Sequence, residues 1–333
     1  TYSLDANTTA NNGTAVGYGA LSANTTAADN TGIGYLALQV NTTGASNTAV
    51  GSGALDANTT ADYNTAVGQA ALGANTTGTR NVAVGTFAGD ACTIGRYNTA
   101  IGYGAIGADV VGDYSVGVGY QTLQNQASDA DNQAVLNTGV GPFAGNALTT
   151  GIKSTFVGAY AGANGTVTGD ENTAVGYNCG YSLTSAVANT LMGSGAGDGL
   201  TTGGYNTVIG ISALGTEDTG RKNVALGGYT LANQNSDTDN FNTAVGWEAG
   251  NDVTTGVGHT FVGAFAGDKT DDSANCTAVG YLSLGANCGS DNTAFGVHAL
   301  SQTTGDDNTA CGPVAGYEVT SGDNNSFLGH DAG

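Results

Sequence analysis

The five-residue phrase Asn-Thr-Ala-Val-Gly, with variants, returns along the whole chain at a step of about 17 residues. Its closing glycine falls at Gly17, Gly34, Gly51, Gly68, Gly85, Gly102, Gly119, Gly141, Gly158, Gly176, Gly193, Gly210, Gly227, Gly246, Gly263, Gly280, Gly296, Gly312 and Gly329. Of the 18 intervals between these 19 glycines, 13 are 17 residues long, so no stretch is left over for a conventional globular domain. A step this short predicts one small unit stacked upon itself, with function residing in length and surface and not in a buried cleft.

Aligned on the anchor glycine, the copies alternate. The preceding residue is apolar (Val16, Ile33, Val50, Val67), and two residues earlier stands a β-branched one (Thr14, Thr31, Thr48, Val82). A small residue, usually Ala, lies between them, and Asn30, Asn47, Asn64 and Asn81 precede the Thr or Val. Alternation of this kind predicts a strand with Thr and Val on one face and Ala on the other. We read the Thr/Val face as the inward one. Ala-Leu or Ala-Gly follows three and four residues after the anchor, as in Ala20-Leu21, Ala54-Leu55 and Ala144-Gly145, predicting a second short strand or a tight corner. The remaining Asn-Thr-Thr-Gly text is turn chemistry. A helix is excluded, because Gly recurs too often and no apolar stripe lasts two turns.

The expected fold is therefore all-β: a parallel β-solenoid of about 19 coils, forming one continuous repeat region over residues 1–333. Longer loops are expected near 124–137 and 232–241. At about 4.8 Å per coil the rod would be roughly 90 Å long. One coil offers few large apolar groups against the entropy of ordering its residues, which predicts burial between copies and a homo-oligomer, most simply a parallel homotrimer. Phe156, Phe261 and Phe327 take the Ala slot, expected to face outward, where they would pack at that interface or contact a ligand.

Charge narrows the function. Six basic residues stand against 27 acidic ones, for a formal net charge of −21. No phosphate-neutralising patch is available, so nucleic acid is excluded as a partner. No apolar run reaches the roughly 18 residues of a membrane span. Thr1 is not an initiator Met and no signal peptide is visible, which points to a processed product or an excised segment.

Candidate sites are few. Asn7, Asn24, Asn41, Asn58 and Asn75 each open an Asn-Thr-Thr glycosylation sequon; read as structure, they form an Asn/Thr ladder along one corner. The two stretched intervals carry similar acidic text, in which Asp129 and Asp131, and again Asp237 and Asp239, alternate as in calcium loops. No closing Glu follows, so calcium stands beside a plain solvated loop. The matching text around both loops indicates a larger duplication over the small repeat. The five cysteines fit no zinc spacing and read as small buried hydrophobes, although Cys276 and Cys288 lie close enough in sequence to pair. His259, His298 and His330 occupy unrelated slots. No catalytic motif is present, and the chain reads as not an enzyme.

Text such as NTAVGYGALSANTTAADNTGIGYLAL and NTAVGQAALGANTTGTRNVAVG resembles repeats of bacteriophage tail-fibre proteins and related bacterial surface proteins. It is similar, more distantly, to the heads of trimeric autotransporter adhesins, whose shorter repeat carries an Asn-Ser-Val-Ala-Ile-Gly strand. The resemblance spans essentially the whole chain. It implies a trimer of β-solenoids on a virion or cell surface, hence an extracellular location, with a host receptor or surface glycan as partner. The alternative is an extracellular filament subunit stacked end to end through uncapped coil edges. A lattice-binding surface such as an ice-binding solenoid is a further alternative, set back by the inward placement expected for Thr.

Overall fold

The structure is a computed structural model, and it describes residues 2–131 and 133–333. It is an all-β parallel solenoid with no helix among those residues. Its contacts gather into two compact units, Thr1–Glu171 and Asn172–Gly333.

The first unit carries β1 (Thr14–Val16), β2 (Thr31–Ile33), β3 (Thr48–Val50), β4 (Thr65–Val67), β5 (Val82–Val84), β6 (Thr99–Ile101), β7 (Val116–Val118), β8 (Thr138–Val140) and β9 (Thr155–Val157). The second carries β10 (Thr173–Val175), β11 (Thr190–Met192), β12 (Thr207–Ile209), β13 (Val224–Leu226), β14 (Thr243–Val245), β15 (Thr260–Val262), β16 (Thr277–Val279), β17 (Thr293–Phe295), β18 (Thr309–Cys311) and β19 (Ser326–Leu328). Within each unit every strand pairs parallel with the next, like slot on like slot: Thr48 on Thr65, Ala49 on Ala66, Val50 on Val67. Each three-residue strand coincides with one copy of the repeated phrase.

Of the two expectations for the Ala-Leu segment, a second short strand or a tight corner, the described residues form the corner. Leu21, Leu38, Leu55 and Leu72 turn it with φ of 50 to 51°, and their amides donate to the coil above, as Leu38 does to Ala54 O at 3.0 Å. Left-handed backbone costs a non-glycine residue about 1–2 kcal/mol. Burying a Leu side chain returns about 1.5–3 kcal/mol, and all four leucines are buried. A second left-handed residue precedes the strand: Asp29, Ser46, Tyr63, Arg80 and Tyr97 have φ of 58 to 63°.

The anchor glycine has a different cause. Gly85 sits at φ 137°, and a Cβ there would lie 2.5 Å from Gly102 O in the next coil. The backbones of successive coils touch at this point, so any side chain would force them apart.

The facing of the strand is the reverse of that expected. Ala49, Ala66 and Ala83 are fully buried, while the Thr and Val beside them point outward. The coil interior is narrow, and the corner Leu with two columns of polar side chains fills most of it. A small residue fits what remains. The Ala-slot aromatics are corrected accordingly: Phe156 and Phe261 are fully buried and Phe327 is half-buried. Room for them comes from glycine at the corner. A Cβ on Gly145 would lie 2.9 Å from Phe156, and one on Gly267 2.6 Å from Phe261.

Two interior polar columns lock the stacking. In the strand-start column, Asn47 donates from Nδ2 to Ala61 O at 2.7 Å, and its Oδ1 accepts the Asn64 amide at 2.9 Å. Asn64 and Asn81 repeat this in the coils above, and Asn242 does so in the second unit. The corner column is the Asn ladder. Asn41 donates to Asn24 Oδ1 at 3.0 Å, Asn58 to Asn41 at 2.8 Å and Asn75 to Asn58 at 3.0 Å. These side chains satisfy buried backbone groups that the three-residue strands leave unpaired.

Candidate functional site

The outward strand face is the most regular surface the repeat creates. Its two columns hold Thr, Val or Ser in one and Val, Ile, Met, Leu, Phe or Cys in the other, with no charged residue in either. Neighbouring rungs of one column stand about 4.8 Å apart, and the two columns about 6.6 Å apart along a strand. Val67, Ile101, Val140, Met192, Ile209 and Phe295 are exposed here. The face offers methyl groups and hydroxyls on a rigid grid, with the exposed thiol of Cys311 on β18 its one titratable side chain among the described residues.

Aromatics, exposed or half-buried, form a further feature, all but Tyr317 one residue or two past the anchor. In the first unit Phe87, Tyr103, Tyr120, Phe143 and Tyr160 make successive ring contacts with centroids 5.0 to 5.9 Å apart. In the second, Phe265, Tyr281, His298 and Tyr317 do the same at 5.7 to 6.1 Å. The left-handed position before the strand adds Arg80 over the rings of Tyr63 and Tyr97 at 5.3 and 5.5 Å, and Lys222 over Phe241 at 4.8 Å.

A shallow hollow of about 380 Å³ opens beside the first aromatic column. Its origin is a missing rung. Five residues past the anchor, Asp90 and Gln124 project outward, and Gly107 lies between them with no side chain. The carboxylate, the amide and the Tyr103 ring are groups that bind hydroxyl-rich ligands. Burial pushes the Asp90 carboxyl above its usual range, and Asp56, Asp198 and Asp268 in the same slot are raised for the same reason, Asp268 to about 6.

The sequon residues divide. Asn24, Asn41, Asn58 and Asn75 are fully buried with their amides engaged in the ladder, whereas Asn7 is exposed and its side chain hydrogen-bonds Ala10. The paired aspartates are exposed and spread over separate partners. Asp131 lies 3.9 Å from Arg96, Asp239 pairs with Lys222 at 2.6 Å, and Asp237 accepts from Thr219 at 3.0 Å. Asp129 donates its amide to Gln133, and Asn132 in this loop lies outside the described residues. Among the described residues no three His, Cys, Asp or Glu side chains are placed to share a metal ion.

Two residues that sequence reading passed over hold the long loops in place. Asp109 is buried in the corner column and accepts from Gly112 N and Ser128 Oγ, with Gln126 against its other oxygen. Glu217 is its counterpart in the second unit, accepting from Gly220 N at 2.7 Å, Asn240 Nδ2 at 3.0 Å and Ser236 N at 3.3 Å. Burial raises the Glu217 carboxyl against the pull of these bonds. The signal was available: both carboxylates take the slot that holds Asn in the first coils, one coil before a stretched interval.

No protein-family profile matches the chain. No curated protein matches it at a significant level either. Any functional reading therefore rests on these surfaces. No helix among the described residues is long and apolar enough to cross a membrane.

Proposed function

We propose that this chain is a non-enzymatic structural segment of a fibre or adhesin, projecting from a virion or cell surface and serving attachment. In this reading it assembles with copies of itself as a parallel homotrimer. The observation that carries it is the uncharged outward face, where Val, Ile, Met, Leu and Phe stay exposed on strand after strand. Monomeric soluble proteins rarely leave so long an apolar strip uncovered. A specific interface of about 1,200–2,000 Å² would cover such a strip. The aromatic columns and the hollow at Gly107 supply the second half of the reading, a surface suited to glycans. Weak contacts repeated at equal steps would add through avidity.

Light scattering on the purified chain tests the assembly. The expected mass is three times that of the chain, and Ile101→Asp with Val67→Asp should release monomers. A folded wild-type monomer at micromolar concentration would refute the trimer, and long filaments in micrographs would favour the end-to-end alternative. Glycan-array binding that falls when Asp90 is replaced by Asn would support the adhesin role.

One observation favours a second reading. The Thr column points outward beside the Val column, removing the ground for setting a lattice-binding surface aside. Regular hydroxyls and methyls on a flat grid are what an ordered water layer would match. Thermal hysteresis in a freezing assay, lost on Thr65→Lys, would support this reading, and its absence would eliminate it.

A further inference from the structure

The two interior polar columns run side by side, and in several coils they bond across to each other. Asn30 donates to Asn24 at 3.4 Å, Gln126 to Ser115 at 2.9 Å and Gln234 to Asn223 at 3.4 Å. At one level of the second unit sulfur replaces the amides in both columns. Cys276 stands in the strand-start column immediately before β16, and Cys288 stands at the following corner. Their Sγ atoms are 3.7 Å apart, and both residues are buried.

The surroundings single this pair out. Cys92 and Cys179 are each buried, and burial pushes both thiols up to about 12, which makes them inert. Cys276 moves the other way, its thiol made more acidic chiefly by the hydrogen bond from Cys288, while Cys288 is pushed up as the donor of that pair. His259 lies in the same column one coil earlier, and its Nδ1 accepts the Cys276 amide at 3.2 Å. Its Nε2 is buried without a partner.

We propose that Cys276 and Cys288 are a dithiol that closes to an intrachain disulfide, replacing one amide rung by a covalent one. The oxidant is a low-molecular-weight disulfide of the glutathione class. The Cys276 thiolate attacks one of its sulfurs, forming a mixed disulfide and releasing one small thiol. The Cys288 thiolate then attacks Cys276 Sγ and expels the second. Two S–H bonds are lost and one S–S bond forms. The small disulfide takes up two electrons and two protons as two thiols. Side-chain rotation closes the gap from 3.7 Å to a bond of about 2.05 Å. Because both sulfurs are buried, the exchange runs during folding or on local opening of this coil.

Native wild-type protein, purified without reductant and equilibrated with oxidised glutathione, supplies the test. After alkylation under denaturing conditions and proteolysis, one linked peptide pair joining Cys276 to Cys288 is expected, two hydrogens lighter than the reduced pair, with Cys92 and Cys179 alkylated. The thermal midpoint should fall by several degrees when reductant is added, and Cys288→Ser should abolish that response. Both thiols recovered free, a mixed disulfide that does not advance, or linkage of Cys276 to another cysteine would each overturn the proposal. The decisive readout comes from unmutated protein, so it does not depend on any variant folding.

Discussion

Replacing Gly85 by Ala tests why glycine returns at every coil. Two costs combine. The backbone at φ 137° lies outside the region open to residues with a side chain, which costs about 1–3 kcal/mol. The new methyl would also stand 2.5 Å from Gly102 O and 2.7 Å from Gly102 C, roughly 1 Å inside ordinary contact. Relieving that clash lifts one coil from the next and stretches the bonds that join them: Gly102 N to Val84 O at 2.7 Å, Val82 N to Asn98 O at 2.8 Å and Gly89 N to Ala105 O at 2.9 Å. Losing two of these at about 1 kcal/mol each gives a total of about 3–5 kcal/mol. Gly53→Ala is the control. Its φ is 67°, within the left-handed helical region, and the nearest atom to a new methyl lies 3.7 Å away, so it should cost about 1–2 kcal/mol. Urea midpoints give the totals. Native-state hydrogen exchange gives the location, with faster exchange expected at the Val82 and Gly102 amides and little change several coils away, since each coil meets only its neighbours. If the two variants lose the same stability within about 0.5 kcal/mol, backbone contact is not what requires the anchor glycine.

Phe261→Ala empties a fully buried site and should cost about 3–5 kcal/mol; adding Gly267→Leu, which restores the Ala-and-Leu pairing of other coils, should recover part of it in a double-mutant cycle. Asn47→Ala leaves the Asn64 amide buried without a partner and removes one of the two side-chain donors to Ala61 O, the other being Asn58, and should cost about 1–3 kcal/mol by chemical denaturation, more than substituting the outward Thr48. Asp268 is raised to about 6 chiefly by burial, with Asp252 adding to the rise and Lys269 opposing it. Its folded value lies above its unfolded one, so its contribution is fully present below about pH 3.8 and is lost as pH rises through about 6. The shift sets a ceiling of about 3 kcal/mol, which solvent screening at this half-buried carboxyl reduces to about 1. Asp268→Asn should therefore be the more stable protein at pH 7 by about that amount and should match wild type at pH 3.5, as urea midpoints at the two values would show.

The repeat was legible because its period is imposed by backbone geometry. Thr-Ala-Val before a glycine can only be a very short strand ending at a forced contact, and all 19 strands fall on those triplets. Facing was not legible from alternation alone. Alternation separates Thr and Val from Ala without saying which side is enclosed, and the preference for burying β-branched residues pointed the wrong way. The deciding clue lay outside the strand. Phe156 and Phe261 occur with Gly162 and Gly267, where coils such as those of Leu55 and Leu72 pair Ala with Leu, and that exchange of bulk points to both slots sharing one interior. The buried roles of Asp109 and Glu217 were hidden for a related reason: the corner column is defined by stacking, so a carboxylate there looks like any turn residue until its neighbours above and below are known. The Asn ladder was visible as a spacing of 17, but its place inside the coil followed only from the facing.

The 22-residue step from β7 to β8 leaves Val116 still opposite Thr138, and the 19-residue step from β13 to β14 leaves Val224 opposite Thr243. Extra chain therefore leaves at a corner and returns without disturbing the pairing on either side. Each excursion is moored by one buried carboxylate through a serine, so the scaffold already contains sockets for foreign sequence. A peptide epitope spliced at Asp129, with Ser128 and Asp109 kept, should be displayed at the surface while the strands beneath it keep their alignment.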